Sequence, residues 1–340
     1  MTSWNGKPLE ENLIRPDHLM QNQAERYASD LRRLMQHRDE FVSVSCPACF
    51  SNKAQTAFEK YELIYMICSD CGTVYINPRP NPSLLEWYYS TSENYAYWNK
   101  YIFPASEEAR RERIFRPRVE QIAKIIERHN VETDTLLEVG AGFGTFCEEV
   151  QRTGLFSRVV AVEPVPDLAE TCRRKAIEVI EKPIEQVQAG EIAANVIACF
   201  EVIEHLFSPR DFVLGCSSVL IPGGLIVITC PNIRGFDLVT LQAASGTVDS
   251  EHLNYFHPSS LSHLLAECGF KVLEVQTPGS LDAELVRKKA LAGEFDISAH
   301  PFLRQILLDE WERIGDAFQQ FLAANGLSSH MSIVAQKLAN

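Results

Sequence analysis

The stretch from Thr135 to Thr153 restricts the chain more than any other. An apolar run, Thr135-Leu136-Leu137-Glu138-Val139, reads as a strand buried on both faces. Gly140, Gly142 and Gly144 follow at every second position, and Phe146 to Thr153 reads as a helix. Glycine lets the backbone turn tightly and approach a ligand with no Cβ in the way. The free N–H groups of the helix start then face that ligand. Strand, glycine turn and helix therefore predict a nucleotide cradle. A dinucleotide fingerprint needs a glycine where Thr145 stands. The next strand, Arg158 to Val162, ends in Glu163-Pro164. An acid there, 19 residues past Gly144, can accept two hydrogen bonds from ribose hydroxyls.

The rest of the second half continues this alternation of strands and helices. Asp167 to Lys175 reads as a helix capped by Asp167, and Ala176 to Ile180 as a third strand. Asn195 to Phe200 is a fourth strand that runs into Glu201-Val202-Ile203-Glu204-His205. That places these residues at the carboxyl edge, where ligands bind in open α/β sheets. Pro222-Gly223-Gly224 turns into a fifth strand, Leu225 to Thr229. Phe270 to Val275 and Met331 to Gln336 supply the sixth and seventh. Residues 295–327 read as a helical insert between these last two strands.

Ahead of this region lie Cys46-Pro47-Ala48-Cys49 and Cys68-Ser69-Asp70-Cys71-Gly72. The spacing C-x2-C-x18-C-x2-C matches a structural zinc site, with two knuckles that each aim two thiolates at one tetrahedral ion. All four ligand positions are filled, so the zinc is expected to be structural. A module this small folds only with the metal. The chain thus divides into an N-terminal helical segment (1–42), a zinc ribbon (43–80), linker helices rich in aromatic and basic residues (81–117) and an α/β domain (118–340).

Composition narrows the class further. The net charge is −13, which argues against binding nucleic acid through a basic face. No run of 18 apolar residues occurs, so no membrane span is expected. The N-terminus carries no apolar signal segment, and the ten cysteines then point to metal or burial in a cytoplasmic protein. The sequence gives no oligomeric state.

The pattern E-x-G-x-G-x-G, with an acid after the next strand, resembles motif I of class I S-adenosylmethionine (SAM) methyltransferases. The segments E-V-G-A-G-F-G, V-V-A-V-E-P, E-V-I-E-H and L-I-P-G-G-L occur in the order of that family. The resemblance implies a Rossmann-like sheet of seven strands, with the last inserted beside the fifth. It implies SAM held by Gly140, Gly142, Glu163 and Pro164, with Glu138 and Glu201 toward the methionine end. With the zinc module in front, the chain is similar to sugar C-methyltransferases acting on nucleotide-linked ketosugars. In that family a tyrosine after the zinc module, a histidine after strand four and a Glu-His pair line the active site. The matching positions are Tyr97 or Tyr95, His205, Glu251 and His252. Two features depart from the family. The short stretch after the sixth strand leads us to expect no additional C-terminal domain of the family's kind, and Asp249 stands where a second active-site tyrosine belongs.

These residues imply a mechanism. A sulfonium methyl is already electrophilic, so the protein must align an acceptor and take its proton. His252 is the expected base, oriented by Glu251, on a loop over Thr240 to Ser250 in which Asp249 and Ser250 start a turn. His257 is expected to be structural. The arginines at 110, 111, 113, 116 and 118 read as a solvated face paired with Glu107, Glu108 and Glu112. The expected substrate is a small molecule containing a sugar. An O- or N-methyltransferase of another metabolite fits the same residues. A zinc-ribbon RNA methyltransferase is a third reading, which the acidic balance opposes.

Overall fold

A computed structural model describes residues 10–339. The cysteine-rich segment forms a meander of β1 (Ala54–Lys60), β2 (Leu63–Cys68) and β3 (Val74–Ile76), antiparallel throughout. The large sheet begins with β4 (Thr135–Val139), β5 (Arg158–Val162), β6 (Glu178–Ile180), β7 (Ala194–Phe200) and β8 (Leu220–Pro231). A short β9 (Asn254–Tyr255) follows, and β10 (Phe270–Gln276) and β11 (His330–Lys337) complete it. The large sheet has the order β10-β11-β8-β7-β4-β5-β6. Only β11 is antiparallel to its neighbours, so the last strand lies beside the fifth, as expected. All five residues of β4 are buried, because helices cover both faces of the sheet.

Several boundaries differ from the sequence reading. The third strand is only Glu178–Ile180, because Ala176 adopts φ +59° in a turn after the preceding helix. That helix, Pro166–Arg174, has no side-chain cap. Val165 precedes it, and Asp167 lies inside its first turn. The chain from Phe103 to His129 is helical throughout, with one widened turn at Arg111–Phe115. Pro117 follows closely on that widened turn, where the regular hydrogen-bond ladder that a proline would break is already interrupted. The helical insert starts earlier than residue 295, with Asp282–Leu291, and ends with Trp311–Ala324.

β9 does not join the large sheet. It pairs antiparallel with β3, so the cysteine module and the loop that precedes residue 258 share one four-stranded sheet of order β9-β3-β2-β1. Cys46, Cys68 and Tyr75 belong to the same apolar core as Leu137, Ile197 and Ile228 of the large sheet. The N-terminal helix, Asp17–Met35, also packs inward. Its buried Asp30 accepts hydrogen bonds from Ser92 Oγ (2.7 Å) and from the backbone N–H of Asn94 (2.8 Å).

Candidate active site

The cradle forms where β4 ends. Gly140, Gly142 and Gly144 all have positive φ. A Cβ on Gly140 would lie 2.5 Å from Val202 Cγ2, and one on Gly144 would lie 2.6 Å from Ile177 Cδ1. Those two positions need glycine for packing. Gly142 is different: nothing lies within 4 Å of where its Cβ would be, so its backbone is open to a ligand. Glu163 is buried beside it. One carboxylate oxygen accepts from Gly142 N–H at 2.8 Å and the other from Val165 N–H at 3.0 Å. Burial raises its pKa, and the two amides pull it down. Pro164, next in the chain, is exposed. An anchored carboxylate and an open glycine backbone fit the ribose and methionine of SAM.

Glu138, at the end of β4, is buried and accepts a hydrogen bond from Cys147 Sγ at 3.0 Å. Burial pushes its carboxyl up to about 8. An ammonium group arriving there would relieve that cost. Glu201 is arranged otherwise. It has φ +56°, and its Oε1 accepts from Thr229 Oγ1 (2.6 Å), His330 Nε2 (2.8 Å) and Arg118 (3.3 Å). Burial works against ionisation of Glu201, yet His330 and Arg118 hold its pKa far below the usual carboxylate range. Its Oε1 is thus engaged by internal donors rather than left free for an ammonium. Nor are the arginines a uniform solvated face. Arg111 is buried against Glu149 and Glu148, and Arg118 lies beneath Phe200 at 4.3 Å.

His205 and His252 meet beyond β7. Their ring centroids are 4.6 Å apart. His205 Nδ1 is 3.0 Å from the backbone oxygen of Glu251, and His252 Nδ1 is 2.9 Å from that of Thr247. A carbonyl oxygen can only accept, so each Nδ1 carries the hydrogen and each Nε2 keeps its lone pair. Burial and the neighbouring His252 lower His205 to about 4, so it is neutral at pH 7.

The expected pairing of Glu251 with His252 is not formed. Asp249 does that work: its Oδ2 is 3.2 Å from His252 Nδ1, while its Oδ1 accepts from the N–H groups of Glu251 and His252 (2.9 and 2.8 Å). This Asx turn points the Glu251 side chain elsewhere, toward Tyr88 Oη (3.1 Å) and Asn94 Nδ2 (3.0 Å). Burial and Asp249 raise the Glu251 carboxyl to about 7. Tyr97 is not the tyrosine that reaches this group. It packs against Tyr101 and beneath Arg26. Tyr88 contacts Glu251 directly, and Tyr95 packs edge-on against Tyr89 in the same cluster.

The loop that carries Asp249, Glu251 and His252 is braced from many directions. Tyr27 Oη lies 2.9 Å from Ser250 Oγ and accepts from Ser250 N–H at 2.8 Å. Lys60 Nζ donates to the carbonyls of Ser245 and Val248. Arg79, fully buried, donates to Asn254 Oδ1 at 3.0 Å. Asn254 Nδ2 in turn donates to Leu206 O at 2.7 Å, with the carbonyls of Ile203 and Glu204 at 3.3 Å. Asn94, Arg79 and Asn254 carry no local signal in the sequence; Tyr27 lies with Leu31 and Leu34 on one face of an amphipathic helix, a pattern that does not reveal its hydrogen bonds to Ser250. His257 is structural, as expected: it caps the helix Pro258–Glu267 and its Nε2 is 2.7 Å from Cys71 O.

The four cysteines converge. The Sγ atoms of Cys46, Cys49, Cys68 and Cys71 all lie within 4.8 Å of one another. Phe50 and Gly72 occupy the same left-handed position after the second cysteine of each knuckle. The amides of Ala48 and Cys49 bond to Cys46 Sγ, and those of Asp70 and Cys71 to Cys68 Sγ. Amide donors of this kind stabilise thiolates, so the four residues fit a tetrahedral zinc.

Residues 107–275 match the model of a family described as a methyltransferase domain. The chain carries a SAM-dependent methyltransferase domain. Over 179 residues it is 22% identical to a ubiquinone biosynthesis O-methyltransferase of Burkholderia thailandensis, spanning 48% of this chain and 75% of that protein. The corresponding protein of Xylella fastidiosa is 26% identical over 167 residues, 44% of this chain and 66% of its own length. Among solved structures, a SAM-dependent methyltransferase from Clostridium acetobutylicum aligns with a TM-score of 0.48 at 10% identity, covering 71% of this chain and 99% of that one. Among the described residues no helix is long and apolar enough to cross a membrane.

Proposed function

We propose that this methyltransferase acts on a small polar acceptor of the sugar or nucleotide-linked sugar class, and that the acceptor's proton leaves at the His205–His252 pair. The observation that carries this reading is the pair itself: two adjacent imidazoles, each with Nδ1–H tied to a carbonyl and Nε2 left as an acceptor. When bound, SAM supplies a methyl group that is already electrophilic. Gly142 and Glu163 hold its ribose end, and Glu138 faces its ammonium. Asp249 and Thr247 fix the ring of His252, so that its Nε2 points where a proton has to go. Glu251, with Tyr88 and Asn94, offers hydrogen-bonding groups for acceptor hydroxyls. Residues 43–80 form the zinc module, with a structural zinc on Cys46, Cys49, Cys68 and Cys71, and residues 118–340 form the methyltransferase domain.

A second reading, methyl transfer to a hydroxyl oxygen of a metabolite that is not a sugar, is favoured by the similarity to the ubiquinone biosynthesis O-methyltransferases of Burkholderia and Xylella. One experiment separates the two. Purified protein is incubated with SAM and a panel of nucleotide sugars, sugar phosphates and catechols, and products are read by mass spectrometry. Gain of one methyl on a nucleotide sugar supports the first reading, and gain on catechols alone overturns it.

A further inference from the structure

Glu204 is the most unusual side chain near the acceptor. It is 1% exposed, and neither carboxylate oxygen has a hydrogen-bond partner. A buried polar group without a partner is costly, and an ion is one of the few things that account for it. Its surroundings are specific. A carboxylate oxygen of Glu204 and one ring nitrogen each of His205 and His252 lie within 4.8 Å of one another. Both histidines already spend Nδ1–H on backbone carbonyls, and Asp249 stands behind His252. Metal-binding histidines show this arrangement almost without exception, because the second nitrogen must be fixed for the first to be aimed. Two imidazoles and one carboxylate leave coordination positions open and suit a divalent cation of the first transition row. The neighbouring Glu201 plays no part, since His330, Arg118 and Thr229 occupy its Oε1.

We propose that Glu204, His205 and His252 form a second metal site, distinct from the four cysteines, and that it binds a divalent cation to which the acceptor attaches through two adjacent oxygens. This rests on the reading that the His205–His252 pair faces the acceptor, and it narrows the substrate class to vicinal diols, hydroxy-ketones or catechols. With the cation bound, both Nε2 lone pairs would be ligands, so His252 would position the cation instead of taking the proton; the cation would lower the pKa of the attached oxygen, or of the C–H beside an attached carbonyl, and the released proton would pass to solvent. His252, 17% exposed in its side chain, is the ligand on the open side.

The test titrates MnCl2 into full-length, zinc-replete protein and follows free Mn2+ by electron paramagnetic resonance. One Mn2+ per chain is expected. Glu204→Gln and His205→Asn should each weaken it at least tenfold, and Asp249→Asn, which removes the charge behind His252 while its amide oxygen can keep the Asx turn, by ~10–100-fold. Glu267→Gln, an exposed residue at the end of the helix Pro258–Glu267, should leave it unchanged. Thermal melts establish that each variant is folded, and Asp249→Asn keeps the test open if Glu204→Gln is not. Unchanged Mn2+ affinity in the folded Glu204→Gln and Asp249→Asn proteins, or no binding at millimolar Mn2+, overturns the site. Turnover separates the site from the methyl-transfer reading. Full turnover in a chelator that leaves the cysteine-bound zinc in place overturns the cation while that reading stands. Mn2+ binding with no methylated diol, hydroxy-ketone or catechol under any metal overturns the acceptor reading while the cation site stands.

Discussion

The proposed cofactor side and the proposed acceptor side of this site are built in opposite ways. The cofactor side is local. Gly140, Gly142, Glu163 and Glu138 come from two neighbouring strand ends within 26 residues, and their contacts are mostly to each other's backbone. The acceptor side draws on the N-terminal helix, the cysteine module, the tyrosine-rich helices, the turn after β7 and the loop before β9. A local site depends on turn chemistry and survives distant damage. A dispersed site depends on every element that braces it. The two sides should therefore fail separately.

The largest expected effect lies on the acceptor side. His252→Asn removes Nε2, the lone-pair nitrogen of a ring that lies beside His205 and is held through Nδ1 by Thr247 and Asp249. Turnover should fall ~10²–10⁴-fold, with SAM affinity from calorimetry unchanged. Full turnover would move the chemistry to His205. Glu163→Ala should do the reverse. Loss of a charged hydrogen-bond acceptor should weaken SAM binding by roughly 1.5–3 kcal/mol, while rates at saturating SAM stay close to wild type. An unchanged SAM dissociation constant would break the assignment of the cofactor side.

Asn254→Ala sharpens the contrast, because this residue touches neither ligand. It would unpair the buried Arg79 and free the turn from Ile203 to Leu206. Denaturant unfolding should show a loss of about 1–3 kcal/mol, and turnover should drop without a change in SAM affinity. Parallel losses on both sides would mean that the two are not independent.

The smallest effect concerns pH. Burial raises Glu138 to about 8, against an unfolded value of 4.5. The native state therefore holds this proton more tightly than the unfolded state does. The associated stability is fully present below pH 4.5 and is lost as pH rises toward 8. Glu138→Gln should flatten this decline and gain on the order of 1 kcal/mol near pH 8 in denaturant titrations. Glu251 slopes the same way and His205 the opposite way, so the test is the difference between mutant and wild type.

The same contrast explains what could be read from the sequence. The glycine run, the acid at the end of β5, the seven strands and the cysteine spacing are short-range patterns. Each fixes backbone geometry through propensity, periodicity or chelate spacing, so the turn at Gly142, the strand end at Glu163 and the convergence of Cys68 with the other three cysteines were legible. The acceptor side was legible only in part. His205 and His252 meet as the site requires, but the carboxylate behind His252 is Asp249, not Glu251, because an Asx turn reverses which side chain faces inward. Tyr97 turned away, and Tyr88 took the contact with Glu251.

By itself the sequence determined the sheet, its strand order, the glycine turn after β4 and the four-cysteine cluster, because each is specified by short-range patterns. The tertiary structure alone decided that β9 leaves the methyltransferase sheet to join the cysteine module. It also decided that Tyr27 and Lys60 hold the loop, and that Glu204 is buried against two imidazoles without a partner. These contacts link residues up to 223 positions apart, and no local pattern encodes which of many polar side chains will meet once the core has closed.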